Sequence, residues 1–109
     1  MKNVTNLIEA VNLEIAIKDL DKFMDKLLND LDIHLVFIEA KYAGDKLRDM
    51  ELVNDLHDWM NRLLRLINKF KDVGFNAIKI NDMEIYFKCE KRICKLVEVM
   101  EHVRNEYMF

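Results

Sequence analysis

In 109 residues this chain has no proline and no serine, and only two glycines, Gly44 and Gly74. The residues that break helices and open loops are almost missing, so the backbone is driven into long regular elements. Hydrophobic residues make up 51% and charged residues 34%, the balance of a chain that buries a core rather than one that stays disordered. At this length one domain covering 1–109 is expected.

The type of element is read from apolar spacing. Leu13, Ile17, Leu20, Met24, Leu27, Leu31, Leu35, Ile38 and Tyr42 recur in steps of three and four, which traces a helical seam. Asn6 with Glu9 resembles a capping box and Gly44 suits a left-handed C-terminal cap, so a helix is expected from about Leu7 to Ala43. Two runs compete with this reading. Val11, Leu13, Ile15 and Ile17 alternate with period two, and Ile33 to Ile38 is an apolar run rich in β-branched and aromatic residues, broken only by His34. Either run also suits a strand.

A second helix is expected from Asp45 to Gly74, with Leu47, Met50, Val53, Leu56, Met60, Leu63, Ile67 and Phe70 on its apolar side. The short connection at Ala43, Gly44 and Asp45 would fold the two into an antiparallel αα-hairpin. Beyond Gly74, Ile78 and Ile80 alternate with polar residues, as do Met83, Ile85, Phe87 and Cys89. A tight turn at Asn81-Asp82 would put these aliphatic side chains on one face of a β-hairpin. Helical spacing resumes from about Glu90 through Ile93, Val97, Met100 and Tyr107. The expected class is mainly α: an αα-hairpin plus a C-terminal helix, with one β-hairpin near 76–89. The alternative is α+β, with added strands at 11–17 and 33–39.

Charge is unevenly laid out. Residues 1–61 carry 7 Lys/Arg against 13 Asp/Glu, whereas residues 62–95 carry 9 against 4. Arg62, Arg65 and Lys69 form a stripe on the second helix, and Lys88, Lys91, Arg92 and Lys95 cluster further on. These seven are the candidate nucleic-acid-binding residues, with Tyr86 as a stacking platform. The competing reading pairs them with acidic residues of the first helix, such as Glu14, Asp21 or Asp25.

Catalytic and metal signatures are thin. Cys94, Glu98 and His102 recur every four residues, but no second Cys or His pair stands at zinc-site spacing, so Cys89 and Cys94 are expected to be buried, inert thiols. His34 and His57 have no nucleophile partner in sequence, and Trp59 reads as an apolar anchor. Ala40, Gly44, Met50 and Val53 stand at helix-turn-helix spacing, but the following helix is acidic, the wrong sign for phosphates. No catalytic residue, cofactor or metal is expected. No export signal and no apolar run of membrane-spanning length is present, so a cytoplasmic protein without a membrane partner is expected.

A helix of 37 residues would be about 55 Å long, whereas a compact domain of this size has a radius of gyration near 13 Å. Ile33, Val36 and Phe37 widen its apolar stripe further. The expectation is a non-enzymatic helical interaction module, a homodimer or a small subunit of a larger assembly, with Leu31, Leu35, Ile38 and Tyr42 as interface residues. The alternative is a small nucleic-acid-binding regulator using region 62–95.

Overall fold

The computed structural model describes residues 4–42 and 50–108. They form three helices: α1 (Val4–Tyr42), α2 (Met50–Lys79) and α3 (Met83–Tyr107). Helix covers 96% of the described residues. The bundle is a rod of 59 × 21 × 17 Å, and α1 alone, at 39 residues and about 1.5 Å per residue, accounts for its full length.

Ile17, Met24, Leu27, Leu31, Leu35 and Ile38 of α1 are buried, as the seam predicted, against Leu56, Leu63, Leu66, Phe70 and Ala77 of α2 and Ile85, Cys89, Leu96 and Val103 of α3. The chain runs up, down and up, so α1 and α3 are parallel: Glu14, Asp21 and Glu39 of α1 meet Lys88, Arg92 and Tyr107 of α3 in the same order.

No strand occurs among the described residues. The β-hairpin expected near 76–89 is a helix-turn-helix corner, and the alternative strands at 11–17 and 33–39 are both helical. One physical reason covers all three cases. Residues two apart lie about 200° apart around a helix, so an alternating apolar run is also what a helix with two apolar sides looks like. Leu13 and Ile17 face the core while Val11 and Ile15 face out; Ile85 and Cys89 face the core while Met83 and Phe87 face out; Ile80 is buried and Ile78 exposed.

The turn itself falls at Asn81-Asp82 as expected. Asn81 adopts φ 58, a left-handed conformation that asparagine tolerates better than most residues. Its N–H donates to the Ile78 carbonyl at 2.9 Å and that of Asp82 to the Ala77 carbonyl at 2.8 Å, the paired bonds of a Schellman motif closing α2. Asp82 then opens α3 by accepting a hydrogen bond from the Ile85 N–H at 3.2 Å, as an N-cap does. The caps proposed at Gly44 and Asp45, the hairpin connection and the 40–53 helix-turn-helix pattern involve positions outside the described residues. Asn6 lies within α1, which begins before it.

Gly74 was expected to end α2 but sits inside it. A Cβ there would stand 3.4 Å from the Cys89 Cβ and 3.5 Å from the Tyr86 ring, so α2 and α3 pack closely at this point with room for a methyl group and little more. Gly74→Ala is expected to raise stability by about 0.5–1 kcal/mol through helix propensity, read as a higher thermal midpoint. Gly74→Leu should lower it by prying the helices apart. Equal tolerance of both would show that the contact is slack.

Candidate interaction surface

Three of the four residues expected at an interface are not on the outside of the bundle. Leu31, Leu35 and Ile38 are buried within the chain's own core, and the side chain of Tyr42 lies outside the described residues. Apart from Phe23 on the flank, the exposed apolar surface of α1 is on its other side and falls into two patches. The N-terminal patch consists of Val4, Leu7, Ile8, Val11 and Ile15; the C-terminal patch consists of Ile33, Val36 and Phe37, each over 60% exposed. Between them the same face carries Lys18, Asp19, Lys22, Lys26 and Asp30. The spacing is helical throughout, so the patches and the charged stretch form a single line along a straight rod. The sequence signal for this surface was the alternation at 11–17 and the dense run at 33–38, and it is legible only once both are known to be helix.

The seven basic candidates do not form one platform. Lys69 Nζ lies 5.7 Å from the centre of the Phe23 ring, whereas Lys88 donates to Glu14 Oε1 at 2.9 Å. Phe23 and Glu14 are nine residues apart and thus on opposite flanks of α1, about 180° around it. The α2 stripe and the α3 cluster therefore border α1 from two sides. Arg92 grips Asp21 with two hydrogen bonds, Nε to Oδ1 at 2.8 Å and Nη2 to Oδ2 at 2.9 Å, and donates a third to the Lys88 carbonyl at 3.0 Å. This bidentate contact holds Arg92 more firmly protonated than usual, and the bond to Glu14 does the same for Lys88. Arg62 lies over Trp59 at 4.7 Å. Arg65, Lys91 and Lys95 hold no ion pair among the described residues, although Lys91 and Lys95 share a shallow depression with Asp21 and Asp25. Tyr86, expected to be free for stacking, is half-buried against the core and tilted against Phe87 at 5.5 Å between ring centres, and its hydrogen bond to Glu90 favours the neutral phenol.

Where α1 meets α2, His34 packs on Trp59 at 5.7 Å and contacts Asp55 through Nε2. Together with Arg62 these residues form a polar and aromatic clasp at the edge of the core. Trp59 is half-buried there, in keeping with an anchor.

The two cysteines differ. Cys89 is buried, and loss of hydration pushes its thiol up to about 11, far from the thiolate that nucleophilic chemistry needs. Cys94 was expected to be buried but is exposed, in an open groove of about 600 Å³ formed by Phe87, Glu90, Lys91, Cys94, Lys95 and Glu98. Among the described residues no three His, Cys, Asp or Glu side chains converge as metal ligands, and no helix is long and apolar enough to cross a membrane. His102 stands edge-on to Tyr107, 6.4 Å between ring centres. The Tyr107 hydroxyl donates to Glu39, and burial together with this bond pushes the phenol up to about 12. No protein family, curated protein or solved structure matches this chain.

Proposed function

We propose that this protein is a non-enzymatic helical interaction module whose working surface is the outward face of α1. The observation that carries the reading is that α1 is apolar on two sides. One side fills the core, and the other exposes eight large aliphatic or aromatic side chains in two patches, a display that a solitary soluble helix bundle avoids. The basic residues nearest this face support the same reading. Lys88 and Arg92 are occupied by Glu14 and Asp21, so they fasten α3 to α1 and stiffen the surface. Such a module would act as a homodimer or as a small subunit of a larger assembly.

Light scattering at several concentrations tests this. The wild-type protein is expected to be a dimer or larger at tens of micromolar, and Val11→Glu with Ile15→Glu should give a monomer of unchanged helix content, since both side chains point away from the core. A monodisperse wild-type monomer across that range would remove the proposal.

A second reading, a small nucleic-acid-binding regulator, draws support from Arg65, Lys91 and Lys95, which hold no ion pair among the described residues. Repeating the measurement with single- and double-stranded nucleic acid at about 50 mM salt separates the two. Phosphate binding would weaken steeply with added salt, and Lys91→Glu with Lys95→Glu would abolish it. The absence of any complex at that salt would eliminate this reading.

A further inference from the structure

We infer that the partner on the outward face of α1 is a second copy of this chain, bound antiparallel, so that the N-terminal patch of each copy covers the C-terminal patch of the other. This rests on the proposed interaction surface and adds its occupant and orientation.

The first argument is area. Eight large apolar side chains at half to three-quarters exposure present on the order of 100 Å² each, together close to the roughly 800 Å² that each partner contributes to a standard interface. One copy of this face thus carries about the area that a second copy would have to cover. The second argument is layout. The patches lie at the two ends of a rod, with a charged stretch between them, so a two-fold axis across α1 near residue 24 exchanges one patch for the other and sets the inner apolar side chains of each opposite those of its mate. Ile15 then meets Ile33 of the second copy, and Val11 meets Phe37.

Charge decides between this arrangement and the parallel one, which would also set patch on patch. A parallel in-register pair places Lys18, Lys22 and Lys26 each against its own counterpart, a stack of like charges that opposes association. The antiparallel pair places Lys18 opposite Asp30 of the second copy, twice by symmetry. Lys22 and Lys26 still face each other there, so attractive and repulsive facing pairs balance, whereas every facing charged pair of the parallel arrangement is of like sign. Asp30 is twelve residues from Lys18 in its own chain, about 18 Å along the helix, so any coupling between the two must run between copies.

Pulsed dipolar spectroscopy on a spin label at Asn12→Cys, an exposed position on the flank of the face, reads the orientation. The label is carried on Cys94→Ser, while buried Cys89 stays unlabelled. Antiparallel pairing predicts a distance between labels of about 35–40 Å, from 24 residues of rise along the helix. A distance below about 25 Å would establish a parallel pair and overturn the inference, even if light scattering shows a dimer. No dipolar signal from a sample that scatters as a dimer would place the contact on another face and overturn it too. A protein that scatters as a monomer and instead sediments with anionic lipid vesicles would assign the face to a membrane surface and overturn both this inference and the dimer beneath it. Charge exchange gives an independent readout. Lys18→Asp alone or Asp30→Lys alone should weaken dimerisation by about 3- to 10-fold, and combining them should restore it. Failure of the combination to recover affinity would rule out this register.

Discussion

Replacing Leu35 and Ile38 together by glutamate is expected to abolish the folded state, not merely to separate subunits. Both side chains are almost fully buried in the three-helix core, and among the described residues no charged side chain is buried with them. Each substitution removes aliphatic packing worth about 2–5 kcal/mol and adds the cost of burying or displacing an unpaired charge, several kcal/mol more. The sum meets or exceeds the roughly 5–15 kcal/mol that holds a domain together. Circular dichroism should show loss of the cooperative thermal transition and of most helical signal at 25 °C. The contrast with Val11→Glu and Ile15→Glu, four residues apart on the opposite side of the same helix, is the informative part. A folded monomer from the Leu35 and Ile38 variant would mean that this seam is an interface after all and that the core has been misplaced.

Alkaline pH should destabilise the protein in two steps. Cys89 is pushed from an ordinary 9.0 to about 11 and Tyr107 from 10.0 to about 12, so in each case the folded protein holds its proton after the unfolded chain has lost it. The unfolded state binds fewer protons in that interval, and stability therefore falls as pH rises. The contribution of Cys89 is complete below about pH 9 and lost by about pH 11; that of Tyr107 is complete below about pH 10 and lost by about pH 12. A shift of about two units corresponds to roughly 2–3 kcal/mol for each group. Lys88 and Arg92, also held protonated by their carboxylate partners, act in the same direction. Denaturant midpoints should decline from pH 9 upwards. Tyr107→Phe is expected to cost about 1 kcal/mol at neutral pH through its lost bond to Glu39 while removing the upper part of the decline, and Cys89→Ala should remove the lower part. A midpoint that stays flat from pH 8 to pH 11 in the wild type would contradict this account of both sites.

Much of the architecture could be read from residue spacing alone. The α1 seam through Ile17, Met24, Leu31 and Ile38, the apolar side of α2 through Leu56, Leu63 and Phe70, and the corner at Asn81-Asp82 all stand where the sequence puts them. The hairpin strands near 76–89 and the alternative strands at 11–17 and 33–39 do not exist as strands, and the reason is specific. Alternation is diagnostic of a strand only when one face of the element is polar; in Ile85, Phe87 and Cys89 both sides of a helix are apolar, and spacing cannot separate the two cases. Gly74 misled in a similar way. A glycine inside a helical pattern reads as a terminus unless one knows that another helix presses against it, and here Cys89 and Tyr86 do.

The candidate surface was less legible than the fold. Leu31, Leu35 and Ile38 stand at regular helical spacing in α1, but regularity identifies the side that packs, and the intramolecular core claims it. The helical character of the chain and the excess of apolar surface on its first helix follow from local properties, since helix-breaking residues are nearly absent and period and composition need no long-range contact. Long-range packing, by contrast, sets which apolar side of α1 is covered by α2 and α3 and which is left outward, and fastens Lys88 and Arg92 to Glu14 and Asp21. Those outcomes depend on which residues 71 or 74 positions apart in sequence meet in space, and no local pattern encodes that pairing.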